Sequence, residues 1–435
     1  MNQKNKALLI ICFVVILVGW GCRLVTPPAA KSPTAQATLA LQPSETAPAT
    51  ELPANQAPSP SPSQAITPSQ TPTQAAPILA PLNGGLTISA IHMFSADSGW
   101  GIGSAGGASD RILKTADGGN SWREVTPPEP ALAGSQPLTA LGYFQDLETA
   151  WVIYYNHAAP GLPSQAVVWR TQDGGQSWQA SQSLDLSGLV ETFAPSHLQF
   201  IDAQTGWLLV HIGVGMNHDY VALYKTGDGG STWSRLLDPD NEVQGCYKTS
   251  MLFTSTQEGW LTGTCNGVAA GVWLYRTGDG GTTWQVVQLP APQSRPDLFT
   301  NFENGCGSDH PTFLDAQTGY IAVACERLGT DPRVTDYFLY STRDGGKSWT
   351  PASYPGGALT FFDGQSGLAL GKEIYTTQDG GKSWKKISTV TWDGSFDFAD
   401  AKTGWAVARA GDQIALVRSD NGGQSWALLK PKIIP

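Results

Sequence analysis

Across residues 84–435 short apolar runs alternate with tight polar turns, the period-two pattern of half-buried strands. One turn motif punctuates this pattern seven times. It reads Ser/Thr-x-Asp-Gly-Gly-x-Ser/Thr-Trp and stands at Thr115–Trp122, Thr171–Trp178, Thr226–Trp233, Thr277–Trp284, Thr342–Trp349, Thr377–Trp384 and Ser419–Trp426. Its acidic position is Asp117, Asp173, Asp228, Asp279, Asp344 or Asp379, with Asn421 in the last copy. A second signal precedes each box: a strand, a polar turn, then a step onto Trp100, Trp151, Trp207, Trp260, Tyr320, Leu368 or Trp405. A repeat of about 35–65 residues made only of short strands and turns predicts propeller blades.

Each repeat divides into four strands. In the third, the pattern predicts strands at His197–Ile201, Gly206–Ile212 and Val221–Thr226, with a fourth from Trp233. Asp-Gly-Gly supplies positive-φ positions for the last turn, the carboxylate caps nearby amides, and the Trp fills the wedge between blades. Seven copies spread around a ring do not converge on one substrate, so the boxes are read as structural. The expected fold is all-β: a seven-bladed β-propeller of four-stranded antiparallel blades.

In such a ring the first-to-second and third-to-fourth turns share one face, and here they are short and uniform. The opposite face carries connections of very different length: Asn156–Gln165, Gly213–Asp219, Pro290–Pro311 and Glu326–Asp336 against only Gly371–Glu373 in the sixth repeat. Variable length on a regular scaffold marks the candidate binding face. Cys246 and Cys265 lie 14 residues before and five after Trp260, and Cys306 and Cys325 have the same offsets from Tyr320. The shared offset predicts the pairs Cys246–Cys265 and Cys306–Cys325 at that face. Neither pair has the short spacing of a zinc site, and no cofactor or metal is expected. His197 and His310 each precede a first-strand Phe by three residues, at the channel mouth. His157, His211 and His218 fall in or beside the variable connections, with Asp219, Asp309 and Glu326 as acidic neighbours. Solvated loop histidines are the plainer reading. Arg295, Arg327 and Arg333, with Arg111 and Arg409, are further candidates on or near this face.

Composition changes the picture at the N-terminus. No Phe, Trp or Tyr occurs between Trp20 and Phe94, and 13 of the 30 prolines fall between Pro27 and Pro81. Residues 23–83 therefore read as a disordered Pro/Ser/Thr/Ala/Gln-rich stalk. Ahead of it, Lys4 and Lys6 precede a 14-residue apolar run, Ala7–Trp20, and then Gly21-Cys22. That run has signal-peptide length, and the boundary resembles a bacterial lipoprotein signal with Cys22 lipidated; an uncleaved signal anchor is the alternative. Either way residues 1–22 export the chain, leaving it membrane-anchored on the extracytoplasmic side. Setting aside the four basic and two acidic residues of 1–83 leaves 22 against 34, a net charge of −12, which disfavours nucleic acid as a partner.

The boxes resemble the BNR or Asp-box repeats of β-propellers over essentially all of 84–435. With runs such as Phe200–Trp207 and Phe313–Tyr320, the chain is similar to the photosystem II stability/assembly-factor-like propellers, and more distantly to Asp-box sialidases. The first resemblance implies a monomeric binding module for a protein partner such as a membrane complex, or for a glycan. The second implies a glycoside hydrolase. The Phe/Tyr-Arg-Ile/Leu-Pro signature of sialidases is absent, so a non-enzymatic binding role is the expectation.

Overall fold

The computed structural model describes residues 85–435 apart from 129–135, 159–160, 190–191, 216–217, 239–242, 244, 265–270 and 302. The expected signal (1–22, with Cys22), the stalk (23–83) and Cys265 lie outside the described residues. All described residues belong to the unit Pro68–Pro435.

Strands pair in sequence order into four-stranded antiparallel units. The first unit is Leu86–Met93, Gly99–Ala105, Arg111–Thr115 and Ser121–Glu124; the third is Ala194–Phe200, Gly206–Gly215, His218–Thr226 and Ser234–Leu237. No helix occurs among the described residues. Each third strand ends on the Thr or Ser that opens an Asp box, and the two box glycines have positive φ, for example Gly118 at 72° and Gly119 at 92°. In the second box Thr171 Oγ1 donates to Asp173 at 2.8 Å, while Ser177 donates to the same carboxylate from its amide (2.9 Å) and its hydroxyl (2.5 Å). Asn421 keeps this arrangement with amide chemistry, its Nδ2 donating to Ser425 Oγ at 2.8 Å.

The units are joined by a recurring stack. The second-strand aromatic of one unit lies on the first-strand Phe of the next: Trp151 on Phe200 (3.7 Å, 9°), Trp207 on Phe253 (3.8 Å, 3°), Tyr320 on Phe361 (3.8 Å, 6°). That Phe is drawn over the residue opposite it on its own second strand, which is why glycine stands there. A Cβ on Gly206 would meet the Phe200 ring at 2.6 Å. A cation opposite each Trp covers its outer face, with Lys114, Arg170, Lys225, Arg276 and Arg418 lying 4.7–5.4 Å from the ring centroids. Four of these cations reach on to a turn carbonyl of the next unit: Lys114 to Leu147, Arg170 to Ala203, Lys225 to Thr256 and Arg418 to Ala96. The last bond joins the final unit to the first, as does Trp405 Nε1, donating to Gly118 O at 2.8 Å. The cycle closes on these side chains and on the main chain: Lys432–Ile434, following the last unit, adds a fifth, parallel strand beside Ser121–Arg123 of the first.

Two of the connections read as loops are mostly ladder. The third unit's second and third strands continue to Gly215 and from His218 across a bulge at His211/Gly213, so the expected ends at Ile212 and Val221 are too short. In the fifth unit Arg327 still pairs with Val334. Alternating polar residues on exposed hairpins carry little strand signal, which hid both extensions. The Pro290–Pro311 link is not open loop either. It buries Leu298 completely, anchors Tyr340 through Pro290 O (2.8 Å), and contributes a strand, Asn304–Ser308, beside Gly319–Arg327.

Trp405→Ala should lower stability by about 3–5 kcal/mol, read from denaturant midpoints; a loss below about 1 kcal/mol would mean the closing Trp405 contact contributes little. The Ser177 hydroxyl and amide hold Asp173, and the Ser383 hydroxyl and amide hold Asp379, at about 2. A depressed folded-state pKa gives stability that is complete above the ordinary value of 3.8 and is lost as pH falls towards 2. The unfolding midpoint should drop across that window, and Asp379→Asn should make the drop shallower.

Candidate functional site

At the loop end of the third and fourth units the ladder brings together polar groups that are buried elsewhere only when paired. His211, on a second strand, donates from Nδ1 to Asp219 at 2.8 Å, and both are buried. The other Asp219 oxygen accepts from the Lys248 amide at 2.8 Å. The Lys248 ammonium, fully buried, donates to the carbonyls of Asp219 (2.5 Å) and Gly245 (3.1 Å) and lies 5.5 Å from the Trp273 ring centroid. On this base Tyr247 stacks over His211 at 5.0 Å and 12° while remaining 51% exposed. His218 packs on Tyr220 at 4.2 Å in the adjoining hairpin. The buried network thus positions an outward aromatic surface. Lys248, Tyr247 and Ser250 escape the sequence argument; an isolated Lys in an apolar first strand was the available signal for the first.

His310 Nδ1 lies 2.8 Å from Ser250 Oγ, and His197 Nδ1 is 3.1 Å from Ser196 Oγ. The His197 residue is half-buried and His310 is exposed, each ring being partly desolvated by the protein beside it. That desolvation, aided by the His310 and His211 charges, pushes His197 down to about 4; desolvation also lowers His310, against the opposing charge of Asp309. Both imidazoles are therefore neutral hydrogen-bonding groups at pH 7. Among the described residues no three His, Cys, Asp or Glu gather closely enough to hold a metal ion.

The arginines do not converge. Arg295 is engaged by Asp336 and by Asp297, and braces the link before the fifth unit. Arg333 pairs with Glu326 at 3.0 Å and is 81% exposed, and Arg327 is exposed at the end of its strand. Arg111 sits on Glu124 at 2.7 Å in the first unit. Cys306 and Cys325 face one another across the ladder and are bonded, with Cα atoms 4.1 Å apart. Cys246 is also disulfide-bonded. Of the eight large exposed apolar side chains among the described residues, Leu162, Val214, Tyr247, Val334 and Tyr337 all stand at this loop end.

No family model matches the chain. A xyloglucanase from Paenibacillus sp is 24% identical over 277 residues, 55% of this chain and 23% of that protein, so the chain spans about a quarter of the relative's length. Among solved structures, YCF48 bound to D1 peptide superposes with a TM-score of 0.50 at 15% identity, covering 80% of this chain and 96% of that one. The polysaccharide lyase Uly1 gives 0.51 at 10% identity over 82% and 93%. The fold is that of a β-propeller resembling YCF48, and at these identities the likeness speaks for the fold alone.

Removing Asp219 should be costly, because it leaves His211 and the Lys248 amide without their acceptor. Asp219→Ala is expected to destabilise by about 1–3 kcal/mol and to free the Tyr247 ring, seen as a loss of near-ultraviolet circular dichroism. An unchanged midpoint would show that the network is not under tension with the rest of the fold.

Proposed function

We propose that the chain is a seven-bladed β-propeller that is exported and membrane-anchored through residues 1–22, with 23–83 as its tether and Cys22 as the lipidated residue. Its loop end, over the third to fifth blades, holds an extended segment of a partner protein or glycan. One observation carries this reading: exposed apolar side chains concentrate at that end, on strands stiffened by the Lys248–Asp219–His211 network and the Cys306–Cys325 bond. Rigid aromatic and aliphatic anchors of this kind are how binding surfaces keep the entropy cost of association low. YCF48, of similar fold, is bound to a D1 peptide, which supports a peptide-like occupant and an assembly-factor-like role.

The xyloglucanase relative favours a second reading, in which the same end acts on a glycan. Hydrolysis of that kind needs two carboxylates flanking the scissile bond. Here Asp219 is committed to His211 and Lys248, Glu326 to Arg333 and Asp336 to Arg295, which supports holding over cutting.

Shortening the Pro290–Pro311 link would damage the core, so the test uses exposed positions. Full-length protein should capture a saturable partner from detergent-solubilised membranes. Tyr247→Ser with Val214→Ser should reduce that capture at least tenfold, about 1.4 kcal/mol, without moving the melting temperature. Release of reducing ends from xyloglucan would replace this reading with the catalytic one, and capture indifferent to both substitutions would move the site off the loop end.

A further inference from the structure

At one junction that is also a groove the stack is kept, by Tyr320 on Phe361, but its Trp and its cation are both replaced. Between the fifth and sixth units the second-strand residue is Tyr320 instead of Trp, and the residue opposite it is Ser341 instead of Lys or Arg. The box face there holds a space of about 490 Å³, lined by Thr318, Tyr320, Ser341, Arg343, Asp344 and Lys382 among others and similar in size to the grooves at the first and fourth junctions (about 500 and 460 Å³). Two cations point to its use. Arg343 fills a box position held elsewhere by Ala116, Gln172, Gly227, Gly278, Gln378 and Asp420. Lys382 fills one held by Asn120, Gln176, Ser231, Thr282 and Gln424, and otherwise only by Lys347. In a chain of net charge −10, neither cation makes an ion pair among the described residues.

Comparison with two sister grooves sharpens this. At the first junction Lys114 is taken up by Leu147 O beside Glu148, and at the fourth Arg276 is paired with Glu258 at 2.7 Å. The cations on their third strands are engaged by the protein, and each groove keeps one cation without an ion pair among the described residues, Arg123 at the first and Lys347 at the fourth, against two here. In the fifth-to-sixth groove the one carboxylate of the lining, Asp344, is turned into its own box, where it accepts from Thr342 Oγ1 (2.8 Å), the Ser348 amide (2.9 Å) and the Ser348 hydroxyl (2.6 Å).

We infer that this groove binds a carboxylate presented by an acidic sugar. The guanidinium of Arg343 offers a planar fork suited to bidentate carboxylate recognition, and Lys382 supplies a second, point-like charge. The remaining lining mixes the hydroxyls of Thr318, Ser341 and Thr350 with the apolar Leu339, Pro351 and Ala352, a combination suited to the hydroxyl edge and the apolar face of a pyranose ring. The site lies at the opposite end of the molecule from the loop face and does not depend on what that face holds.

Isothermal titration of the purified full-length chain with trigalacturonate tests this, with cellotriose as the uncharged control and hexaglutamate as the acidic-peptide arm. Trigalacturonate should bind with a dissociation constant of about 1 mM or tighter, and the binding should fade as salt approaches about 1 M. Arg343→Gln and Lys382→Gln should each weaken it at least tenfold at unchanged melting temperature, while Tyr247→Ser leaves it intact. No heat at about 10 mM ligand, equal binding of cellotriose, or indifference to both substitutions would overturn the inference. Tighter binding of hexaglutamate would keep the anion groove and overturn the sugar.

Discussion

Most junctions of this fold hang on one contact: a second-strand aromatic laid on the first-strand phenylalanine of the next unit. A lone four-stranded meander cannot bury both of its faces, so each unit is stable only between its neighbours. The stack supplies that burial with geometry attached. Trp207 and Phe253 are 3.8 Å apart and within 3° of parallel, which fixes the rotation from one unit to the next. The glycine beneath the Phe and the cation above the Trp follow from it, since one clears space and the other covers the remaining face. At the closing junction Met93 takes the Phe position, and the ends are joined by Trp405 and Arg418, which reach Gly118 and Ala96, together with the parallel strand that Lys432–Ile434 adds to the first unit.

A scaffold held from inside each junction leaves both ends of the molecule free to vary, and they have varied differently. The loop end grew by lengthening hairpins and filling a link: Gly206–Gly215 with His218–Thr226, Gly319–Arg327 with Val334–Thr342, and the segment that buries Leu298. Those additions needed their own internal support, which the Lys248–Asp219–His211 network and the cross-strand disulfide provide. The box end kept its turn geometry, since each Asp is held by the hydroxyls and amides of its own box. Change there is confined to the two variable box positions and to the Trp–cation pair, and at the fifth unit all of them changed together.

The repeat was legible in the sequence because it is local. Box, turn and second-strand aromatic recur within a few residues of each other, and the four-stranded parse follows from them. The stack itself was not, since Trp151 and Phe200 belong to different repeats and nothing in either repeat names its partner. The same limit hid the buried network. Lys248 reads as a surface residue until the fourth unit's first strand is laid against Asp219 of the third, 29 residues away. Arg295 shows the converse: read as a free cation for a ligand, it is spent on Asp336, 41 residues on. Position along the chain says which residues are charged, whereas only the packed neighbours say which charges are left over.

That distinction between charges spent and charges left over is what separates fold from function in this molecule. Propellers of this shape hold a peptide in one case and belong to polysaccharide-acting proteins in others, so shape alone does not decide the ligand. The groups that remain after the scaffold has satisfied itself do. At the loop end the surplus is apolar: Val214, Tyr247, Val334 and Tyr337, beside a base in which Lys248, Asp219 and His211 engage one another. At the box end it is cationic and sits in the one groove where the scaffold's own Trp and cation are missing. Two surpluses of opposite chemistry, on opposite ends of the strands in a cycle closed by Trp405, Arg418 and the last strand, argue for two kinds of contact made by one chain.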